Sequence, residues 1–289
     1  MLCPLIASTL RGEDSKQVTT GIPQGTLSDL SLANLFSEGW DQPWSKFQRG
    51  EGTPDMSLLR VQTNFLVQLF RLDTTLETGR TSPAFSGSES VMSTVEYALD
   101  RRFMPGVFVN HQWLTGRHGP DDDGGAGGLF SRFQLIETQQ SSLAYAFKMV
   151  LPDHDLGEHL TTWSHALAGW QDLSPLGLGR TGLYYHVQHE MPAGPAPAGA
   201  TRNDATYDLS LATTWSSPHA MLENFTTFVE AYGKALLDGE HAERINLWLT
   251  PGLRFTLSSR HILMFGVDIP VGGPRPNDQL FRFTWIANF

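Results

Sequence analysis

The sequence predicts an all-β protein: a transmembrane, antiparallel, up-and-down β-barrel of about twelve strands behind an irregular N-terminal leader. Three observations predict this fold class. Apolar and polar residues alternate with a period of two, short and long connections alternate between these stretches, and the last stretch ends on an aromatic residue. A period of two indicates a strand whose two faces meet different surroundings.

The composition fits a barrel in a membrane and argues against several other classes. Of 289 residues, 40% are hydrophobic and only 17% are charged, a mixture typical of an apolar outer surface around a polar lumen. No run of about 18 apolar residues occurs, which excludes a transmembrane helix. The net charge of −10 argues against nucleic acid as a partner. The single cysteine, Cys3, excludes an intramolecular disulfide.

Residues 1–56 are predicted to form the irregular leader, because they show no sustained period and are rich in Gly, Ser, Thr and Pro. A periplasmic segment and a plug are the two roles considered for this leader. Its aromatic stretch 35–44 is interpreted as a hydrophobic anchor, with plugging of the lumen or packing beneath the barrel mouth as the alternative. Residues 1–7 are too short for the apolar region of a signal peptide. Because an outer-membrane protein must be exported, we expect a signal peptide upstream of this chain or a different translation start. The barrel itself is assigned to residues 57–289.

The first five predicted strands lie between residues 60 and 151. The first, about 60–71, is predicted to turn its odd-numbered residues outward and its even-numbered residues into the lumen. The second, about 94–103, places Val95 and Tyr97 outward against Glu96, and Met104-Pro105-Gly106 is predicted as a tight turn. The third, fourth and fifth strands repeat the alternation at about 107–113, 129–139 and 143–151.

Seven further strands complete the predicted barrel. The ninth is the one stretch with a helical alternative, a short amphipathic helix interrupted at Gly233; a strand is preferred. The total is even, as single-chain bacterial barrels require. These seven strands are predicted at about 159–171, 183–187, 207–215, 222–236, 244–257, 263–269 and 278–289.

The connections support a meander independently of the strands. Those after even-numbered strands are brief, whereas long polar segments follow strands one, three and seven, at about 73–89, 117–128 and 190–204. A barrel with tight turns at one rim and loops at the other predicts this order. A Greek-key sandwich, the soluble alternative, would not produce it.

The terminal strand places aromatic residues on one face and ends on the last of them. In outer-membrane barrels the final strand closes the barrel and its aromatic end lies at the membrane interface. We interpret these residues as barrel-closing and as the signal read by the barrel assembly machinery, with outer-membrane lipid as their surroundings. They are Phe281, Phe283, Trp285 and Phe289.

Short motifs in the second half of the chain resemble those of a known family. They include Leu167-Ala168-Gly169-Trp170, residues 228–233, 250–255 and 266–270, with residues 95–99 nearer the start. In these motifs the chain resembles the outer-membrane barrels associated with the meta-cleavage pathway of phenol degradation. The resemblance implies a small transport barrel for small molecules, hydrophobic or aromatic ones among them. It brings no catalytic residues, and the leader departs from the family pattern.

The lumen is the predicted functional surface. Charges inside a barrel either line a water path or pair across it, and about twelve strands can leave a lumen open or filled. Passive passage of a small-molecule solute is the predicted function; a non-conducting structural or assembly barrel and an outer-membrane lipid-modifying enzyme are the alternatives. The residues predicted to line the lumen are Arg60, Gln62, Asn64, Glu96, Asp100, Arg102, Arg132, Glu230, Arg254, Asp268 and Arg282.

Catalysis is not predicted. Ser164 and His165 are adjacent on a predicted strand, so their side chains point to opposite faces, and no Gly-x-Ser-x-Gly motif occurs. The protein is therefore predicted not to be an enzyme and to need neither a cofactor nor a metal. Its predicted location is the bacterial outer membrane.

Overall fold

The structure is a computed structural model that describes residues 27–44, 58–60, 65–79, 85–118, 121–151, 161–193, 203–217, 222–239, 242, 244–258, 260–274 and 278–289. Within these residues, twelve strands form one closed antiparallel barrel. Every strand pairs with its neighbours along the chain, and the last strand pairs with the first. The predicted all-β, up-and-down barrel is confirmed. None of the described residues forms a helix long and apolar enough to cross a membrane.

The strands run in chain order around the wall. They are β1 (Gln68–Thr78), β2 (Phe85–Tyr97), β3 (Phe103–Gly116), β4 (Asp122–Glu137), β5 (Ser141–Val150), β6 (Thr162–Asp172), β7 (Thr181–Pro192), β8 (Asp204–Ser216), β9 (Asn224–Leu236), β10 (Ile245–Ser258), β11 (His261–Gly272) and β12 (Gln279–Asn288). We call the rim where β1 begins and β12 ends the terminal rim, and the other the opposite rim. The helical alternative for the ninth strand is wrong, since β9 pairs along its whole length with β8 and β10.

β12 closes the barrel with aromatic side chains on its outer face. Its pairing with β1 runs from Asn288 opposite Leu69 to Gln279 opposite Thr78. The ring centroid of Phe283 lies 5.0 Å from that of Phe265 on β11, and that of Trp285 lies 5.9 Å from that of Phe70 on β1. Phe281 and Phe289 are exposed at the same surface. Aromatic contacts of this kind join the last strand to both of its neighbours.

Two glycines in the motifs noted above make room for aromatic rings on the outer wall. A Cβ on Gly169 would clash with the Tyr185 ring on β7, and a Cβ on Gly233 would clash with the Tyr207 ring on β8. The ring therefore lies flat over the backbone of the neighbouring strand. This covering compensates for the missing side chain of a glycine in a strand.

The first predicted strand is wrong in position and in facing. β1 begins at Gln68, whereas the prediction began at about residue 60, and its odd-numbered residues face the lumen, as buried Leu69 shows. Phe65, predicted to face outward, is fully buried. The physical reason is that this part of the lumen is itself apolar, so alternation of apolar residues does not distinguish a lipid-facing from a lumen-facing side.

The predicted turn at Met104-Pro105-Gly106 is also wrong, because these residues belong to β3. The connection lies at residues 98–102, where the Asp100 carboxylate accepts hydrogen bonds from the N–H groups of Arg102 (2.6 Å) and Phe103 (2.8 Å). Pro105 is accommodated within the strand opposite Ser131. Side-chain capping by an aspartate thus sets this turn, rather than the Pro-Gly pair.

Two of the predicted long loops are largely strand. β1 continues to Thr78 and β2 already begins at Phe85, while β4 begins at Asp122. The added segments are rich in Ser, Gly and Asp and have few apolar residues on their outer face, so they carry no period-two signal. Backbone pairing with the neighbouring strand holds them in place.

Candidate functional site

The terminal-rim end of the lumen is filled by the chain's own residues. We call residues 58–60 and 65–67, which precede β1, the plug segment. Leu58 is 1% exposed and Phe65 is 0% exposed, and both pack in one apolar cluster with inward side chains of the wall. The Phe65 ring meets the Trp170 ring edge-on, with 5.8 Å between centroids. Burying each such side chain stabilises the arrangement by roughly 1.5–3 kcal/mol.

Arg60 fastens the plug segment to the wall by polar contacts. Its guanidinium forms an ion pair with Asp268 on β11 and lies over the Tyr232 ring, 4.0 Å from the centroid. Its backbone N–H lies 3.2 Å from each carboxylate oxygen of Glu230 on β9. The plug segment therefore combines apolar packing with one charged anchor.

Asp268 lies at the centre of this anchor. Besides Arg60, it accepts hydrogen bonds from Thr250 Oγ1 at 2.6 Å and from Arg282 Nε at 2.8 Å. The even-numbered residues of β9–β12 face inward. The register sets Gly252 on β10 opposite Gly266 on β11, and Gly266 opposite Arg282 on β12, so the side chains of Thr250, Asp268 and Arg282 meet inside the barrel. A carboxylate that is 1% exposed needs several donors of this kind to remain charged.

Other charges of the lumen are paired between or along strands. Arg132 Nη1 on β4 lies 2.7 Å from Glu96 Oε2 on β2, and Arg71 Nε lies 2.7 Å from Asp73 Oδ2, both on β1. Asp73 also accepts a hydrogen bond of 2.5 Å from the Thr284 hydroxyl of β12. These four charged side chains of the barrel interior thus compensate one another in pairs.

A histidine–aspartate pair lies among the inward side chains of β7 and β8. His186 Nδ1 on β7 is 2.9 Å from Asp208 Oδ2 on β8, and both residues are buried. His186 Nε2, Asp208 Oδ1 and the nearby Ser210 hydroxyl have no hydrogen-bond partner among the described residues. The register places His186 directly opposite Asp208. This pair leaves two unused polar atoms inside the barrel, His186 Nε2 and Asp208 Oδ1.

Two buried arginines at the terminal rim hold residues 27–44, which we call the docked segment. Arg101 bonds to Glu137 at the end of β4, to Gln42 Oε1 (2.5 Å) and to the Ser28 carbonyl (3.1 Å). Leu30 and Glu137 exchange backbone hydrogen bonds of 2.9 and 3.0 Å. The docked segment is therefore attached to the rim beside β4.

Arg102 is the second of these arginines and is fully buried. Its guanidinium donates to the carbonyl oxygens of Glu38 (2.8 Å) and Asn34 (3.1 Å) in the docked segment and of Gln134 (2.8 Å) on β4. Burial, together with the neighbouring Arg101 guanidinium, lowers the pKa of Arg102. Trp44, at the end of the docked segment, packs on a small cluster that contains Leu66 of the plug segment. Both N-terminal segments therefore contribute to the same apolar cluster at this rim.

The residues predicted to line the lumen lie in three places. Arg60 reaches the lumen from the plug segment rather than from a strand, while Asp100 and Arg102 lie in the connection between β2 and β3. Gln62 and Asn64 lie outside the described residues. The remaining predicted residues are on strands with their side chains inward: Glu96, Arg132, Glu230, Arg254, Asp268 and Arg282.

Sequence reasoning missed several polar residues that the barrel brings inward. Arg71 and Asp73 fall at odd-numbered positions in a stretch assigned to the wrong facing and to a loop. His186 and Asp208 lie 22 positions apart, and only the register of β7 and β8 unites them. Listing the inward-facing residues of consecutive strands side by side would have paired His186 with Asp208, provided that the register of the two strands was correct. Among the described residues, no group of three or more His, Cys, Asp or Glu side chains could hold a metal ion.

No protein-family model and no curated protein matches the sequence. Solved structures are similar in fold. The NanC porin has a TM-score of 0.53 and 9% identity over 76% of this chain and 98% of that chain. A COG4313 outer membrane channel from Pseudomonas putida F1 has a TM-score of 0.54 and 11% identity over 81% of this chain and 98% of that chain. This chain therefore has the fold of outer-membrane barrels; the link to phenol degradation stays a prediction.

LpxR from Salmonella typhimurium, an outer-membrane enzyme, is also similar, with a TM-score of 0.46 and 8% identity over 76% of this chain and 100% of LpxR. The prediction that the protein is not an enzyme is thus wrong as an exclusion, although this likeness assigns no activity to the chain. Sequence reasoning considered only neighbours along one strand, such as Ser164 and His165. A barrel pairs side chains across strands, as His186 and Asp208 show.

Proposed function

We propose that the protein is a channel of the bacterial outer membrane that passes small molecules and is held closed by its own plug segment. The observation that carries this proposal is the contrast within the lumen. Apolar residues of the plug segment pack against inward side chains of β6–β9, β11 and β12, whereas charged side chains of β1–β5 line the other side of the lumen. The shared fold with the NanC porin and the COG4313 channel supports a transport role.

The outer surface supports a membrane location. Outward residues of the strands include many exposed apolar side chains, such as Val109, Val187 and Leu209. A contiguous apolar surface of this kind is stable in contact with lipid rather than with water. We further propose that the aromatic end of β12 is the signal for the assembly machinery, and that residues 1–56 act as a leader distinct from the barrel of residues 57–289.

The polar anchor of the plug segment is suited to reversible release. If Arg60 leaves the lumen, Asp268 keeps its hydrogen bonds from Arg282 and Thr250. Withdrawal therefore does not leave a bare carboxylate inside the barrel, which would oppose opening strongly. The main cost of opening is the loss of apolar packing around Leu58 and Phe65. The charged residues on the β1–β5 side of the lumen, Glu96 and Arg132 among them, would then set which solutes pass.

Single-channel recording in planar bilayers tests this proposal on the full chain. The variant Leu58→Ser, Leu59→Ser, Arg60→Ser weakens both the packing and the anchor of the plug segment. We expect discrete current steps at least about tenfold more often than in the unaltered protein, since each lost apolar contact shifts the equilibrium by about 1.4 kcal/mol or more.

The matched control is Leu32→Ser with Phe36→Ser, which changes two exposed residues of the docked segment. This control should behave as the unaltered protein does. A triple variant that inserts but carries no current would overturn the channel and favour a non-conducting barrel. Equal, frequent steps in all three proteins would show a channel that residues 58–60 do not close.

A further inference from the structure

A cavity of about 250 Å³ lies inside the barrel against the plug segment. Leu59 and Arg60 bound it on one side, and inward side chains of β1–β5 form its walls. The cavity lies on the lumen side of the barrel wall and is therefore separate from the apolar outer surface. The cavity is therefore a compartment of the closed lumen, and its lining decides what could occupy it.

The charges around this cavity are predominantly positive. Arg60, Arg71, Arg132 and Lys148 line it, against the carboxylates of Asp73 and Glu96. Arg71 is bound to Asp73, and Arg60 is bound to Asp268 outside the lining. The pairing of Arg132 with Glu96 accounts for the last carboxylate of the lining. This leaves the ammonium of Lys148 as the positive charge without a carboxylate at its side.

Lys148 forms no ion pair with any described residue. Its Nζ lies over the Phe108 ring, 4.3 Å from the centroid. The other described lysine of the lumen, Lys234, behaves differently, since its Nζ lies 2.7 Å from Asp204 Oδ2. A lysine inside a barrel with only a ring as its close neighbour is a ready partner for an anion.

Arg132 provides a second unused donor in the same cavity. The residue is 7% exposed, and its Nε has no hydrogen-bond partner among the described residues, although Nη1 is bound to Glu96. Buried guanidinium N–H groups are normally satisfied. An anion between Arg132 and Lys148 would satisfy this donor and balance the ammonium together.

The rest of the lining is apolar. Phe108 and Phe130 come from β3 and β4, Met92 from β2, and Ala146 from β5. A small inorganic anion would leave these surfaces facing an empty space, whereas an apolar body on the anion would cover them. The cavity thus combines one charged corner with apolar walls.

From this lining we propose that the cavity binds small organic monocarboxylates, with the carboxylate at Lys148 and Arg132 and the apolar body against Phe108 and Phe130. This inference names a ligand class for the lumen of the proposed channel and rests on that function only for a route of passage. Binding itself requires no current, because the cavity exists in the closed protein.

Isothermal titration calorimetry of the detergent-folded full chain with benzoate tests the assignment. We expect benzoate to bind at least about tenfold more tightly than acetate, which lacks the apolar body, and than benzyl alcohol, which lacks the charge. Lys148→Met should weaken benzoate binding about tenfold or more, whereas Lys148→Arg, which keeps the charge, should stay within about threefold. Lys234→Met is the matched control and should leave the affinity unchanged.

Several results would overturn the inference. Benzoate that does not bind, or benzyl alcohol that binds as tightly as benzoate, removes the anion site. An equal loss in Lys148→Met and Lys234→Met points to general charge rather than to this cavity. If Lys148→Met does not fold, two other measurements decide. Benzoate affinity that falls by more than about threefold in Lys148→Arg, or that added salt does not weaken in the unaltered protein, would overturn the inference. Because these measurements need no flux, their failure leaves the plug experiment unaffected.

Discussion

Two sides of the lumen lie within the same barrel but are filled in different ways. At the terminal rim, Phe65 and Leu58 pack against Trp170 and its neighbours in an apolar cluster. On the side formed by β1–β5, Glu96 and Arg132 face each other as an ion pair beside a cavity. We call these parts the apolar half and the charged half. The pleat is the same in both, so alternation decides only which residues point inward.

The difference separates stability from selectivity. Apolar packing contributes to the free energy of unfolding in proportion to the area buried. A buried ion pair contributes little net stability, because desolvation of both charges offsets their attraction. We therefore expect the apolar half to carry the stability of the closed barrel and the charged half to choose its solutes.

The largest effect is expected in the apolar half. Trp170→Ala removes a fully buried indole that meets Phe65, and we expect the free energy of unfolding to fall by about 3–5 kcal/mol. Urea titration of protein folded into lipid vesicles measures this loss. Trp215→Ala, on the outer face of β8, is the control and should cost less than half as much. Equal losses would mean that the lumen side carries no special share of the stability.

An intermediate effect is expected in the charged half, and it should be reversible by a second change. Arg132→Met leaves Glu96 buried without its guanidinium and should cost about 3 kcal/mol. Adding Glu96→Gln removes the stranded charge, so the double variant should return to within about 1 kcal/mol of the unaltered protein. The same urea titration applies. A double variant as unstable as the single one would show that the pair stabilises the barrel directly.

The smallest effect is expected on the outer face of the barrel wall, which neither the apolar packing nor the ion pairs of the lumen reach. Gly233→Ala would push the Tyr207 ring off the neighbouring strand, and we expect a loss of about 1–3 kcal/mol. Gly127→Ala is the control, because its Cβ would meet only the Phe108 carbonyl oxygen at an ordinary 3.5 Å. A loss no larger than in the control would rule out a stabilising role for the ring over Gly233.

The sequence by itself determined the barrel and much of its facing. From β9 onward, apolar residues alternate with polar ones that face the lumen, so the alternation alone assigns Glu230, Arg254, Asp268 and Arg282 to the inward face. The aromatic end of β12 likewise indicated the strand that closes the barrel. These features are local, because a period of two within one strand is enough to reveal them.

Only the tertiary structure decided how the interior is filled. Phe65 and Leu69 alternate as lipid-facing residues would, yet they lie inside, since a packed lumen and a lipid surface both favour apolar side chains. The union of His186 with Asp208, and of Arg60 with Asp268, depends on strand register and on a segment that enters the barrel. Neither is written in the pattern of any single strand, because both arise when the barrel closes.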